Sequence, residues 1–94
     1  MQSSDIAHEL EAFIRQSFAI ADDDPGFSRS VDLFDAGYVD SVGLVETLAH
    51  VTQRFGVSIP DDALLSDAFA TIEGMALVIA QLLQQQAAPA RHVA

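Results

Sequence analysis

The stretch LFDAGYVDSVGLVETLAHVTQRFG, residues 33 to 56, decides how this chain folds. It passes from a glycine-containing loop, through the polar pair Asp40-Ser41, into a run with apolar residues at helical spacing. That spacing predicts a helix from about Ser41 to Phe55, stopped at Gly56. Set at about 100° per residue, Leu44, Leu48, Val51 and Phe55 lie within about 60° of one another and form the core stripe. Val42, Val45 and Ala49 form a second stripe, bordered by Glu46 and Gln53. The combined arc is wider than one packing interface needs. Either a third element covers the second stripe, the reading favoured for part of it, or some of it stays exposed for a partner.

Upstream, Ile6, Leu10, Phe13, Ile14 and Phe18 recur at spacings of three and four, one face of an amphipathic helix. Ser4 or Asp5 is the expected N-cap. The helix should end before Asp22-Asp23-Asp24-Pro25-Gly26, where like charges, Pro and Gly favour a loop. Residues 21 to 40 thus form a long connection. Phe27, Val31, Leu33, Phe34, Tyr38 and Val39 can hold it to the core, and Gly37 suits a turn needing positive φ. Loops of this length are uncommon in compact domains and are often functional. Such a connection is expected to travel along the bundle's length rather than make a short antiparallel joint.

Downstream, Val57 and Ile59 should point inward, and Pro60 breaks the run. Leu64, Leu65 and Phe69 are expected apolar anchors around a short helix capped by Asp62 or Ser66. Thr71 should start the last helix, with Ile72, Met75, Ala76, Ile79, Leu82 and Leu83 on its inner face. Strand alternation and internal repeats are missing. The expected architecture is all-α: a four-helix bundle of three main helices and one short one, with a long first loop. One domain should occupy residues 1–86, and residues 87–94, containing Pro89, should be a frayed tail.

Composition narrows the function. The chain has 94 residues, half of them hydrophobic, enough for one modest core. Domains this small bury roughly 60–65% of their unfolded surface, so stability is marginal. Fourteen acidic residues stand against four arginines, for a formal net charge of −10. Nucleic acid and anionic membrane surfaces repel such a chain, and a partner with a basic surface attracts it. An acidic surface that only keeps a small protein soluble explains the charge equally well. With no cysteine, disulfides and thiolate metal sites are excluded. The first ten residues lack the basic and apolar parts of a secretory signal, and no apolar run approaches the 20 or so residues of a membrane span. A soluble, cytoplasmic, monomeric protein is expected.

Catalytic roles for Ser41 fail on spacing. The sequence YVDSVG lacks the glycine two residues before the serine that a nucleophile elbow requires. His50 is nine residues further along the same helix, more than about 10 Å away at about 1.5 Å per residue. His8, His50 and His92 are expected on solvated surfaces, and no pair has zincin spacing. The Asp22–Asp24 run does not meet the EF-hand template, and no glycine-rich phosphate loop is present. No metal and no catalytic residue is expected. Asp40 or Ser41 is an ordinary N-cap candidate. A serine at a helix N-terminus is also suited to bear a phosphodiester, because free N–H groups and the helix dipole favour the anion.

The run LFDAGYVDSVGLVE resembles the phosphopantetheine attachment motif of acyl carrier proteins and related carrier domains. The matching residues are Leu33, Phe34, Gly37, Asp40, Ser41 and Val42, and the likeness extends over roughly residues 5 to 84. The resemblance implies a non-catalytic carrier. A phosphopantetheinyl transferase would move 4′-phosphopantetheine from coenzyme A onto Ser41, with Asp40 and Gly37 as motif context. The arm's thiol, the only one in a chain without cysteine, would hold cargo as a thioester. Enzymes would dock at Val42, Gly43, Val45, Glu46 and Ala49, with Gly43 admitting close approach of a partner backbone.

The resemblance also bears on subclass. Fatty-acid carriers typically have an Asp two residues after the serine and Glu near the helix end, where this chain has Gly43, Thr52, Gln53 and Arg54. The runs DSVGLVETL and FATIEGMA look more like D-alanyl and stand-alone aminoacyl carriers. That implies loading by a separate adenylating ligase and delivery to a downstream transferase or synthase. A stand-alone acyl carrier for specialised fatty-acid or polyketide synthesis is the alternative. An acidic helical adaptor that is never modified is an alternative of another class.

Overall fold

The computed structural model describes residues 1–87. The expected frayed tail lies, except for Ala87, outside the described residues. The elements are α1 (Ser3–Ser17), α2 (Ser41–Phe55), the single-turn α3 (Asp61–Leu64), a 3-10 turn (Asp67–Ala70) and α4 (Ile72–Ala87). There is no strand among the described residues. The all-α bundle of three main helices and one short one is therefore the observed fold.

Helix α1 starts two or three residues earlier than its expected caps suggest. Gln2 is the N-cap, and the Asp5 carboxylate accepts a hydrogen bond from the Gln2 N–H at 3.2 Å. Asp5 is thus the third helical residue, reaching back to the cap, and neither Ser4 nor Asp5 is the cap itself. Ile6, Leu10 and Ile14 are fully buried, each burial contributing about 1.5–3 kcal/mol. Phe13 and Phe18 pack on the same core from its edge. The helix ends as Ala19 takes a left-handed backbone, φ 53°, and the Ile20 N–H donates to the Arg15 carbonyl at 3.0 Å.

Helices α1 and α2 are antiparallel. Phe18 lies against Gly43, the Phe13 ring stacks on His50 at 4.0 Å, and Glu9 holds Arg54 through two bonds of 2.6 and 2.7 Å. The long loop therefore leaves and returns at the same end of the bundle, and does not traverse its length as expected. Its length is used in an excursion. Arg29 reaches Glu11 in the middle of α1 at 2.7 Å. The Arg29 carbonyl accepts the Glu73 N–H at 2.9 Å, satisfying a free donor in the first turn of α4. Leu33 donates its N–H to the Ala70 carbonyl at 2.9 Å. Phe27, Leu33 and Val39 are buried, so apolar residues hold the loop as expected.

Helix α4 begins where Thr71 Oγ1 accepts the Gly74 N–H at 2.9 Å. Ile72, Met75, Ala76 and Ile79 form its buried face. Gly74 is a steric requirement: a Cβ there would overlap the Ala68 carbonyl of the 3-10 turn. Three expectations nearby fail. Leu65 is 85% exposed and anchors nothing, because it follows the single turn of α3 on its outer side. Asp62 lies inside α3, whose N-cap position is Pro60. Ser66 holds the N-cap position of the 3-10 turn, but its hydroxyl makes no cap bond to that turn and donates backward to the Ala63 carbonyl of α3 at 2.6 Å.

His50 is also not on a solvated surface. It is half-buried against Phe13, and this burial pushes the imidazole pKa below its ordinary value of 6.5. Glu9 opposes that shift and Arg54 adds to it. His8 is exposed, and His92 lies outside the described residues.

Candidate functional site

Ser41 is the first residue of α2 and is exposed. Among the described residues its hydroxyl makes no hydrogen bond, so Oγ is free to react or to be modified. Asp40 is the N-cap, with extended backbone (φ −108°, ψ −172°), and its Oδ1 accepts the Gly43 N–H at 2.8 Å. This satisfies one of the free donors of the first turn and fixes the direction in which Ser41 leaves the loop.

The loop before Ser41 is a preformed turn. The Leu33 carbonyl accepts the N–H groups of both Tyr38 and Val39, at 2.9 and 3.1 Å. Gly37 allows that closure with φ 81°, a conformation its lack of Cβ makes inexpensive. Asp32 Oδ1 accepts from Phe34 and Asp35 at 3.0 and 2.9 Å, closing the other side of the turn. The Tyr38 hydroxyl donates to Asp24 at 2.9 Å, and its ring meets Phe27 edge-on at 5.3 Å. Buried Leu33 and Val39 root the turn in the core. A rigid base under an exposed serine is the result.

Behind Ser41 the two stripes of α2 have different fates. Val51 and Phe55 are buried, and Leu44 and Leu48 pack partly against the core. The buried arc then continues away from the second stripe, through Thr47 and Gly43. Val42 and Val45 are 68% and 65% exposed, and Glu46 and Ala49 are exposed beside them. No described element covers this stripe, contrary to the coverage favoured for part of it. Gly43, expected on the docking face, is instead buried: a Cβ there would lie 2.8 Å from the Phe18 ring and 3.1 Å from Val39. It cannot admit a partner backbone.

Charge separates in the same way. The three arginines of the described residues all pair with α1: Arg15 and Arg29 with Glu11, and Arg54 with Glu9. Arg29 and then Arg15 hold the Glu11 carboxyl below its ordinary 4.5. Among the described residues, Asp35, Asp40 and Glu46 have no ion-pair partner. The Ser41 end thus presents uncompensated negative charge next to exposed valines.

A family profile described as "phosphopantetheine attachment site" matches residues 8–79, a span that contains this whole constellation. The chain belongs to that family. It is a carrier domain whose family bears 4′-phosphopantetheine as prosthetic group. Family membership implies a phosphopantetheinyl transferase and a synthase or ligase as partner classes. No curated protein and no solved structure matches the chain. No helix among the described residues is long and apolar enough to cross a membrane. The residues present fit the group: an exposed, unbonded hydroxyl at a helix N-terminus has room for a bulky phosphodiester, and the first turn offers N–H groups to its oxygens.

Sequence reasoning missed Gly43, Thr47 and Phe18 as parts of one contact. A signal existed. Gly43, Thr47 and Val51 are spaced by four, a stripe of small or β-branched residues that continues the buried arc.

Proposed function

We propose that Ser41 is the attachment point for 4′-phosphopantetheine and that this carrier holds aminoacyl groups as thioesters on that arm. The observation that carries the attachment is the free, exposed Ser41 hydroxyl on a turn fixed by Leu33, Asp40 and Val39. In the modification, Ser41 Oγ attacks the phosphorus that bears pantetheine in coenzyme A. The bond from that phosphorus to the 3′,5′-ADP oxygen breaks, 3′,5′-ADP leaves, and the hydroxyl proton passes to a base of the transferase. The carrier itself performs no catalysis. Asp40 and Gly37 act only through backbone geometry.

Docking enzymes meet Val42, Val45, Glu46 and Ala49. The exposed valines give apolar contact, and the unpaired acids favour a basic rim on the partner. The aminoacyl reading rests on the residues of α2 that lack fatty-acid-carrier acids, Gly43, Thr52 and Gln53, and on the Phe69-Ala70-Thr71 start of α4. A separate adenylating ligase loads the thiol, and a downstream transferase or synthase takes the cargo. The protein works as a cytoplasmic monomer; a dimer mass in sedimentation at working concentration contradicts that part.

Intact mass after incubation with coenzyme A and a promiscuous transferase tests the attachment. Wild type should gain one phosphopantetheine and Ser41→Ala none. No gain by wild type, or equal gain by the variant, overturns it. Offering the loaded form amino acids and fatty acids with candidate ligases tests the cargo class; preference for fatty acids overturns the aminoacyl assignment.

A further inference from the structure

A glycine inside a helix costs about 0.8–1 kcal/mol relative to alanine, so Gly43 in the first turn of α2 needs a structural reason. The surroundings supply one. A Cβ at residue 43 would lie 2.8 and 3.0 Å from Cε1 and Cζ of Phe18, and 3.1 Å from Cγ1 of Val39. The Gly43 N–H donates to Asp40 Oδ1 at 2.8 Å, and its carbonyl accepts the buried Thr47 hydroxyl at 2.8 Å. Residue 43 is therefore held by α1, by the loop, by the N-cap and by the next turn of its own helix.

We infer that Gly43 is a positioning residue for Ser41. The Phe18 ring rests on the bare Gly43 Cα, and this contact sets where the first turn of α2 stands on the Leu33–Val39 turn. The inference rests on Ser41 being the attachment point. A methyl group at residue 43 must displace the Phe18 ring or Val39. Phe18 sits where α1 ends, just before the left-handed Ala19, and Val39 is bonded to Leu33 and directly precedes the Asp40 cap. Relief on the Val39 side therefore moves Asp40 and Ser41 together. A misplacement of about 1 Å at a reacting atom can slow a reaction about 100-fold. A glycine retained for partner approach would face outward; this one faces Phe18.

The test is the steady-state modification of Ser41 by coenzyme A and a promiscuous transferase in four proteins: wild type, Gly43→Ala, Phe18→Leu and the double variant. All are assayed below the lowest melting temperature. Gly43→Ala should lower kcat about tenfold while KM for the carrier stays within about twofold, since positioning acts after docking. Phe18→Leu removes the atoms that meet the new methyl. The double variant should recover kcat to within about threefold of wild type. A Gly43→Ala protein with wild-type kcat overturns the inference, as does a rise in KM alone, which marks a partner contact. Should Gly43→Ala not fold, the double variant decides: folded with near wild-type kcat it supports the inference, unfolded or slow it overturns it.

Wild type and Ser41→Ala are read first in the same assay. If wild type is not modified, the attachment reading fails separately. The positioning claim is then read from the Asp40 and Ser41 amide chemical shifts. These should move in Gly43→Ala and return in the double variant; unmoved shifts overturn the claim.

Discussion

The two sides of α2 are similar in sequence and opposite in role. One carries Gly43, Thr47, Val51 and Phe55, all buried against the rest of the fold. The other carries Val42, Val45, Glu46 and Ala49, all exposed. Both contain valine, and the buried side contains Thr47, the only buried polar side chain among the described residues. Hydropathy alone does not tell them apart. What separates them is what lies opposite: Phe18, Val39 and the aromatic–imidazole pair of Phe13 and His50 on the first side, and solvent on the second. Scattered exposed valines are ordinary on soluble proteins. Two on adjacent turns next to an exposed serine, with acids around them that have no ion-pair partner among the described residues, form the surface proposed above for docking.

The comparison breaks first if the two sides respond alike to truncation. Val51→Ala should destabilise the fold by about 2 kcal/mol, from lost burial and the cavity left behind. Val45→Ala should change stability by less than about 0.5 kcal/mol. Chemical denaturation of both measures this, and equal losses would mean that the second side is covered in solution.

A somewhat smaller effect should appear in docking. Val42→Asp and Val45→Asp should each raise the transferase KM about tenfold, about 1.4 kcal/mol, with the melting temperature almost unchanged. An unchanged KM in both variants moves the docking surface away from α2. Smaller still, Asp40→Ala should cost about 1 kcal/mol by leaving the Gly43 N–H without its cap. Thermal unfolding checks it, and a neutral result would mean that water replaces the carboxylate at no cost.

The smallest effect concerns His50 and sharpens the buried side. Its folded-state pKa is lowered, first by burial, so the unfolded chain binds the proton more readily. Above the ordinary value of 6.5 both states are neutral and nothing is lost. As pH falls through 6.5 toward the folded-state value, stability should decline. His50→Phe should flatten that decline and keep the stack on Phe13. Glu11 acts with the same sign in a lower window: its contribution is present above 4.5 and is lost as pH falls through its lowered folded value. The two windows therefore separate in a stability–pH curve, and an unchanged slope near pH 6 in His50→Phe would show that the imidazole stays hydrated.

Much of the fold was legible in the chain because helices report locally. Ile6, Leu10 and Ile14, or Ile72, Met75 and Ile79, repeat at a period that a single helix face imposes. Gly56 and Thr71 mark ends because backbone geometry and capping are settled within a few residues. Ser41 and Asp40 stood out for the same reason. Leu65 and His50 were misjudged because an apolar or a polar side chain does not say what will lie beside it. The hold of Leu33 on the 3-10 turn at Ala70 and the capping of α4 by Arg29 at Glu73 join residues 37 and 44 positions apart, beyond any local period.

The sequence by itself determined that the chain is helical, that α2 starts at Asp40-Ser41, and that a turn suited to Gly37 precedes the serine. These are matters of period, capping and positive φ, each decided within a few residues. Only the tertiary structure decided which apolar stripe of α2 stays outside and that Gly43 faces inward. It also decided that the long loop returns to the end it left. Those depend on the antiparallel docking of α1 on α2, which brings Phe18 onto Gly43 and Glu9 onto Arg54. That docking is decided by which shapes and charges fit together across the whole chain, and no local spacing encodes it.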